Sequence, residues 1–291
     1  MPETTEKPGK PDKAGKAGKA GKADKADKKA PVADPVRTLE LLWGPQDRPS
    51  RSGLTARNIA TAAIELAGSG GIDAVSMRSV ADRLGAATMS LYTHVPGKPA
   101  LVELMIDTVI GEVYADLEEP AGQPDWRAAL RFIAHRNWEL YARHPWLLQV
   151  SQGRPVLGPN ISRKYEAELR PLDGIGLSDP DMDGVLTMVL VHVEGLARWQ
   201  AALTADRTGS GEDDQQWWTA VAPALAEVMD PSAFPVSGRV GRAVGELRNS
   251  AGDPAASLDF GLGRILDVGG RLGGSFDRRR GRGLSRTFNC A

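Results

Sequence analysis

The 291-residue chain has one cysteine, Cys290, and four histidines, none of them at metal-ligand spacing. An intramolecular disulfide and a cysteine-based metal site are therefore excluded, and we expect neither a metal nor another cofactor. The chain also lacks a signal-like apolar segment near its first residue and an uncharged run long enough to cross a bilayer. The longest apolar run, 185–197, contains His192 and Glu194. We expect a cytoplasmic, nucleoid-associated protein that does not bind membranes.

The chain has no excess charge of either sign, with 36 Lys and Arg against 37 Asp and Glu. Any binding of nucleic acid must therefore come from local positive charge. Residues 1–30 repeat Lys among Ala, Gly and Asp with no large apolar residue after Met1, which predicts disorder. This repeat is either a solvated tail or a flexible polycation that attracts phosphates. We expect a disordered tail and Pro-rich linker over 1–50, and a disordered Arg-rich tail over 275–291.

Strand-like alternation is nearly absent, and from Leu54 onward apolar residues recur at helical spacing, as in Ile59, Ala62, Ala63 and Leu66. The sequence therefore predicts an all-α protein. A three-helix helix-turn-helix DNA-binding domain over 51–98 precedes a larger helical ligand-binding and dimerisation domain over 99–274. In the larger domain we predict helices over 125–143, 145–151, 160–174, 180–206, 213–229 and 254–272.

The segment SMRSVADRLGAATMSLYTHVPGK has the pattern of a helix-turn-helix. A helix predicted over Ser76–Gly85 is followed by a second over Thr88–Val95, and Gly85 stands at the turn, where a positive φ is needed. Leu91 and Val95 anchor the second helix on its neighbours. Its polar side is then free to enter the major groove of DNA.

The outward positions of this second helix offer hydroxyls, an imidazole and apolar groups, and none of them is acidic. Arg78 can reach a phosphate or a guanine edge. Lys98 stands at the start of a fourth helix, predicted from Pro99 to about Leu117, where free N–H groups and the helix dipole attract a phosphate. Spacing alone leaves an ordinary helical hairpin as the alternative.

The segment GIDAVSMRSVADRLGAATMSLYTHVPGKPALVELMID closely resembles the DNA-binding domain of tetracycline-repressor-type (TetR/AcrR) transcriptional regulators. The shared features are its Gly-Ile-Asp-Ala-Val-Ser-Met-Arg opening, Leu84-Gly85, Ser90-Leu91-Tyr92-x-His94-Val95 and Gly97-Lys98. The resemblance covers about residues 54–107. It implies that operator DNA is contacted by Met77, Arg78, Thr88, Met89, Ser90, Tyr92, Thr93, His94 and Lys98.

The rest of the chain is more weakly similar to the C-terminal domain of the tetracycline repressor, through Trp126, Phe132, His144 and the closing PAASLDFGLGRILDVGGRL. Such domains dimerise through their last long helices, and apolar stripes at helical spacing fit that role here. The alternative for these residues is burial within the monomer. The predicted dimer interface consists of Leu186, Leu190, Val193, Ala197, Leu258, Leu262, Ile265, Leu266 and Gly269.

A second set of apolar and aromatic residues, with one titratable group, suits a small-molecule pocket. The alternative is that they are ordinary core residues. Position by position, the magnesium-linked histidine of the tetracycline repressor corresponds to Ser151 and its drug-binding asparagine to Ile133, so tetracycline–magnesium is not the expected ligand. A larger, more apolar compound is expected instead. The predicted pocket residues are Ile133, Asn137, Trp138, Tyr141, Met188, His192 and Trp199.

These features predict a ligand-responsive, homodimeric regulator that binds a palindromic double-stranded operator and is released by a small apolar or aromatic effector. An enzyme is not expected, because Val95-Pro-Gly-Lys98 lacks the preceding glycine and following Ser or Thr of a phosphate-binding loop. A constitutive architectural DNA-binding protein with no effector is the other alternative, suggested by the Lys repeat and by Arg278-Arg279-Arg280. Sequence-selective binding that a small molecule abolishes would separate the regulator from it.

Overall fold

The computed structural model describes residues 34–50, 53–150, 153–250 and 252–280, with side chains up to residue 267. Within those ranges the protein is helical and has no strand, so the all-α prediction is confirmed. The Lys repeat, the part of the predicted C-terminal tail beyond 280, Ser151 and the surroundings of Gly269 lie outside the described residues. The prediction of a disordered tail is wrong for residues 275–280, which belong to a helix.

The described ranges contain eleven α-helices and three short 3₁₀ helices. The 3₁₀ helices are Ile72–Ala74, Pro145–Gln149 and Arg170–Leu172. The α-helices are α1 (Pro35–Trp43), α2 (Ala56–Gly70), α3 (Met77–Arg83), α4 (Thr88–Leu91), α5 (Lys98–Ile110), α6 (Trp126–Arg143), α7 (Pro159–Leu169), α8 (Asp179–Ser210), α9 (Asp214–Val228), α10 (Pro235–Arg248) and α11 (Pro254–Arg280).

Local capping explains where the helices of the N-terminal part begin. Thr55 and Asn58 form a reciprocal capping box at α2, and Ser76 and Ser79 form another at α3. Gly85 has a φ of 62° at the turn between α3 and α4, as the sequence predicts. These signals act within a few residues, so the helix-turn-helix is readable from sequence.

Three predicted helices extend four or more residues beyond those observed, and one of them, predicted over 160–174, ends as an α-helix at Leu169. The second helix of the motif was predicted over Thr88–Val95, but α4 ends at Leu91, and the chain continues in helical turns that bring the Val95 N–H to the Leu91 carbonyl at 2.8 Å. Helix α5 ends at Ile110 and not near Leu117. Gly111 is the C-cap of the helix and lies against the Asn160 side chain, where a Cβ would come within 3.1 Å of it.

Two helices were not predicted. Helix α1 occupies part of the expected linker, capped by Asp34, and buries Thr38 and Leu42, so the linker prediction is wrong for residues 35–43. Helix α10 has glycines at 238, 241 and 245, which lower helix propensity and hide it from pattern analysis.

The buried apolar residues form two cores. The N-terminal core contains residues of α1 to α5, together with Leu140 of α6 and Trp146. The C-terminal core consists of Leu130, Ile133, Ala134, Leu172, Val185, Leu186, Val189, Val193, Leu258, Leu262 and Leu266. Tyr141 of α6 packs against both cores. Helix α5, placed by the sequence in the larger domain, shares its core with the helix-turn-helix, and α6 joins the two cores.

A buried carboxylate connects α5 to α7. Asp107 of α5 accepts hydrogen bonds through Oδ1 from the backbone N–H groups of Asn160 and Ile161, each at 3.0 Å, and so caps the first turn of α7. The Asn160 side chain donates to the Asp107 carbonyl at 3.1 Å. Position 158 must be glycine, because a Cβ there would lie 2.1 Å from Asp107 Oδ1. We name Asp107, Gly158 and Asn160 the α5–α7 joint.

Burial raises the pKa of Asp107 more than its hydrogen bonds lower it, and Oδ2 has no hydrogen-bond partner among the described residues. Because the folded-state pKa is raised, the folded protein holds the proton more tightly than the unfolded chain does. This contribution to stability is present below the unfolded pKa of about 4 and is lost as the pH rises through the raised value.

We expect Asp107→Asn to keep the cap and to remove that part of the pH dependence, while Asp107→Ala lowers the free energy of unfolding by about 1–3 kcal/mol at pH 7 because two N–H groups lose their acceptor. Urea unfolding followed by circular dichroism between pH 4 and 7 measures both effects. Equal stability of the Ala and Asn variants at pH 7 would show that the cap contributes nothing.

Candidate nucleic-acid interface

Two buried side chains fix helix α4 to the N-terminal core. Leu91 and Val95 are fully buried in the N-terminal core, beside Ile59 and Leu101. Burial of an apolar side chain of this size stabilises the contact by about 1.5–3 kcal/mol, so the short helix is fixed although its length alone could not sustain it. The motif therefore presents one face of α4 and its following turn to solvent.

That solvent face is made of neutral polar and apolar groups. Met89 is 75% exposed and Tyr92 is 39% exposed. Thr93 is exposed, its hydroxyl donating to the Ser90 carbonyl at 2.7 Å, and Thr88 and Ser90 are partly exposed. A surface with hydroxyls, a phenol and a thioether, and no carboxylate, can contact base edges and phosphates without repulsion.

Two cations flank this face. Arg78 in the first turn of α3 is exposed, and its 3.9 Å contact with Asp82 is too long and too open to solvent to hold it. Lys98 is the first residue of α5 and is exposed, with a 3.5 Å contact from its Nζ to the Ile72 carbonyl. Both side chains are free to meet phosphates.

Two residues of the predicted DNA-contact set lie elsewhere. Met77 is only 7% exposed and packs in the N-terminal core, so the prediction is wrong for its side chain. His94 is partly buried and lines a cleft with Gly44, Gln46 and Arg48, and its Nε2 is inaccessible, so this nitrogen is not available to DNA in this structure. Met77 is buried because a helix's first turn also needs an apolar anchor, and sequence spacing does not show which residue supplies it.

The predicted effector residues of α6 lie in the interior. Ile133 is fully buried in the C-terminal core, while Trp138 and Tyr141 pack at its margin. Burial raises the pKa of the Tyr141 phenol, which therefore stays protonated. Asn137 is buried and donates both to the Ile133 carbonyl at 2.8 Å and to Glu168 at 2.9 Å.

Glu168 is the centre of a buried polar cluster that sequence analysis missed. Its side chain is 1% exposed and accepts from Asn137, from the Tyr114 hydroxyl at 2.7 Å and from Lys164 Nζ at 2.7 Å. Burial, and then the charge of Glu168, raises the pKa of Tyr114, so the phenol remains a donor. Lys164 and Glu168 are four residues apart, a spacing typical of solvent-exposed helix pairs, so nothing in the sequence indicated a buried site.

The predicted pocket residues of α8 do not line one interior surface. Met188 and Trp199 are 48% and 39% exposed, so in this structure they do not share the interior with the predicted residues of α6, and their contact with a ligand stays a prediction. His192 lies between α8 and α11, with Nε2 3.2 Å from the Leu258 carbonyl and its ring against Gly261. The structure thus brings together the predicted pocket residues of α6 but not those of α8.

Most of the predicted dimer interface is buried inside the chain. Helix α8 packs on both α6 and α11 and needs a broad apolar face, and a helical wheel does not show which stripe is used internally. Leu190 and Ile265 are partly buried against the C-terminal core. The prediction is wrong for Leu186, Val193, Leu258, Leu262 and Leu266, which belong to that core, and for Ala197, which is also buried.

Apolar residues and glycines on other faces of α8 and α11 are accessible to solvent. On α8, Gly184, Met188, Val191 and Gly195 follow one another at spacings of four, three and four and are exposed; Val191 is 61% exposed. On α11, Phe260 is 70% exposed and Gly263 lies three residues on. A Cβ at any of the three glycines would meet nothing within 4 Å. We name these six residues the open stripe.

In the part of the chain that the structure describes, no helix is both long enough and apolar enough to cross a membrane. Across those same ranges, no three His, Cys, Asp or Glu side chains are grouped so that they could hold a metal ion.

Comparison with known proteins identifies both parts. Residues 59–105 match the family described as "Bacterial regulatory proteins, tetR family", and residues 118–268 match "Tetracyclin repressor-like, C-terminal domain". The HTH-type transcriptional repressor DrrR1 of Streptomyces coeruleorubidus is 39% identical over 239 residues, which cover 80% of this chain and 85% of that protein.

Solved structures agree with the fold. Apo ActR from Streptomyces coelicolor superposes with a TM-score of 0.63 at 22% identity, covering 76% of this chain and 97% of ActR. ActR in complex with actinorhodin superposes with a TM-score of 0.60 at 23% identity, covering 76% and 99%. With the helix-turn-helix, the helical second domain and the extent of the DrrR1 match together, this chain belongs to the TetR family of DNA-binding transcriptional regulators.

Proposed function

We propose that this protein is a homodimeric repressor that binds a palindromic operator and is released by a small apolar or aromatic effector. The main observation behind the proposal is the uncharged, solvent-exposed face of α4 and its following turn, anchored by two fully buried side chains and flanked by Arg78 and Lys98. The proposed DNA contacts are Arg78, Thr88, Met89, Ser90, Tyr92, Thr93 and Lys98.

The open stripe supports the homodimer. Exposed apolar residues beside small residues allow two helix pairs to approach closely, and a two-fold axis places the same stripe on both sides of the interface. Such a dimer would present two recognition helices about one turn of DNA apart, roughly 34–36 Å, and so would match a palindrome.

The surroundings of the Glu168 cluster support an effector site in the second domain. Aromatic side chains of α6, Trp126, Trp138 and Tyr141, pack at the margin of the C-terminal core. The Glu168 cluster adds buried polar groups to the same domain, and small-molecule sites usually combine apolar and aromatic walls with a few polar groups. The complex of ActR with actinorhodin is consistent with a small-molecule effector.

The route from effector to DNA runs through shared packing. Helix α7 carries Glu168 near one end and is capped by Asp107 of α5 at the other, and α5 begins at Lys98 beside the DNA-binding face. An effector that displaces α7 would therefore displace α5 and change the distance between the two recognition helices of the dimer. The effector shifts the equilibrium between the DNA-binding conformation and the released conformation only by its difference in affinity for these two conformations.

The decisive experiment selects operator DNA from a random duplex pool with the purified full-length protein and repeats the selection with candidate aromatic effectors. We expect the selected DNA to share a palindromic consensus, and we expect an effector to abolish binding of that DNA. Recovery of DNA without a consensus, unaffected by any compound, would instead support a constitutive architectural protein.

Removal of residues 1–30 tests the electrostatic alternative for the Lys repeat. We expect weaker binding at low salt and a shallower dependence of log K on log salt, because each lost phosphate contact reduces the slope by about 0.9. A variant of unchanged length with these lysines replaced by glutamine separates charge from length. If neither variant changes the slope, the repeat is only a solvated tail.

A further inference from the structure

The segment before α2 lies outside both matched domains, which begin at residues 59 and 118. It contains α1 and the stretch 44–50, and the structure places that stretch beside the end of the recognition helix. The segment is therefore a candidate extension of the DNA-binding surface.

Several bonds fix this stretch to the DNA-binding unit. The Gln46 side chain donates to the Leu42 carbonyl at 3.0 Å, closing the end of α1. The Arg57 backbone N–H donates to the Gln46 carbonyl at 3.1 Å, and the Arg57 guanidinium holds Asp47 through two hydrogen bonds of 2.5 and 3.1 Å. Anchored through buried Leu42 on one side and the first turn of α2 on the other, residues 45–48 have a defined place.

That place is next to the face that we assign to DNA. Residues 44–50 form one wall of a cleft of about 370 Å³, and Thr93 and His94, at the end of the recognition segment, contribute to the other. Thr93 is exposed and adjoins Tyr92. A side chain on the outer edge of this wall can thus reach the backbone of a duplex seated on Tyr92 and Thr93.

The local charge favours a phosphate. The Arg57 guanidinium lowers the pKa of Asp47 and neutralises its charge. Arg48 is exposed and makes no ion pair with any residue that the structure describes. Glu40 lines the α1 side of the same cleft, and no ion pair joins it to Arg48. Arg48 is therefore the cation of this cleft that is available to a phosphate, while Glu40 adds one negative charge among the same lining residues.

We propose that Arg48 binds an operator phosphate next to the bases read by α4, so that the interface extends beyond the helix-turn-helix. This rests on the proposed orientation of the recognition helix. The bidentate fork of arginine suits a phosphate, and such contacts fix the register of a protein on DNA without reading sequence.

The test compares Arg48→Gln with Arg37→Gln in the full-length protein, since Arg37 is an exposed arginine of α1 that does not line the cleft. With two subunits, Arg48→Gln should reduce the slope of log K against log salt by about 1.8 and weaken operator binding at least ~10-fold at 0.1 M salt. Phosphate-ethylation interference should lose one position in each half-site. Arg37→Gln should change neither.

An unchanged salt slope for Arg48→Gln, or an unchanged interference pattern, overturns the proposal. Tyr92→Ala, measured in parallel, separates this failure from failure of the proposed function. If Tyr92→Ala strongly weakens operator binding while Arg48→Gln has no effect, the proposed role of the recognition helix is supported and the proposed phosphate contact of Arg48 is refuted. Because the Arg48 side chain makes no ion pair in the described structure, the thermal midpoint should be unchanged in either case.

Discussion

Tyr92→Ala is expected to weaken operator binding at least ~30-fold while leaving the dimer intact. The phenol lies on the exposed face of the recognition segment, directly after buried Leu91, so it can contact DNA without contributing to the core. A good base contact is worth about 1–3 kcal/mol, and a two-fold dimer loses it twice, so the lower bound is about 2 kcal/mol. A mobility-shift titration at fixed salt measures the loss.

Tyr165→Ala is the matched control for that result. Tyr165 on α7 is 45% exposed, like Tyr92, but its hydroxyl donates to Asp183 of α8, away from the DNA-binding unit. The Tyr165→Ala variant should retain wild-type affinity for the operator. Equal affinities of the Tyr92 and Tyr165 variants would refute the assignment of the interface, whereas Tyr92→Phe would show how much of the effect belongs to the hydroxyl.

Val191→Glu is expected to convert the protein into a folded monomer. Val191 lies at the middle of the open stripe, and a two-fold axis through that stripe would bring two new carboxylates together in an apolar contact. Loss of the dimer removes the effective concentration that links two half-site contacts, so operator affinity should fall by about 10²–10⁴. Sedimentation velocity reports the oligomeric state, and circular dichroism checks that the helices persist.

Val36→Glu serves as the control, since Val36 is 64% exposed on α1, outside the open stripe. It should remain dimeric. A Val191→Glu protein that stays dimeric at the same concentration would show that the two-fold interface lies on another surface, and the proposed spacing of the recognition helices would lose its basis.

The DNA-binding unit could be predicted from the sequence because its determinants are local. The caps at Thr55 and Ser76, the glycine turn at Gly85 and the apolar spacing of α2 act within one or two helical turns. The same local signals defined α6, α8 and most of their boundaries. The exposed character of Met89, Tyr92 and Lys98 followed from that framework.

The second domain could not be predicted to the same depth. Met188 and Val193 are equally apolar in sequence, yet one is exposed and the other buried, because α8 contacts two other helices at once. Lys164 and Glu168 look like a surface pair, and only the approach of Tyr114 and Asn137 from other elements makes them a buried cluster. Helix α1 was hidden by its short length and by the prolines around it.

The amino-acid sequence by itself determined the helical class of this protein and its helix-turn-helix, because periodicity, caps and turn glycines act over a few residues. Its resemblance to TetR/AcrR regulators, and not these local signals, implied its place among transcriptional regulators. Tertiary structure alone decided which apolar stripe becomes core and how α7 is tied to α5 through Asp107. These depend on residues more than fifty positions apart, and no local pattern records which distant side chain will occupy the remaining space.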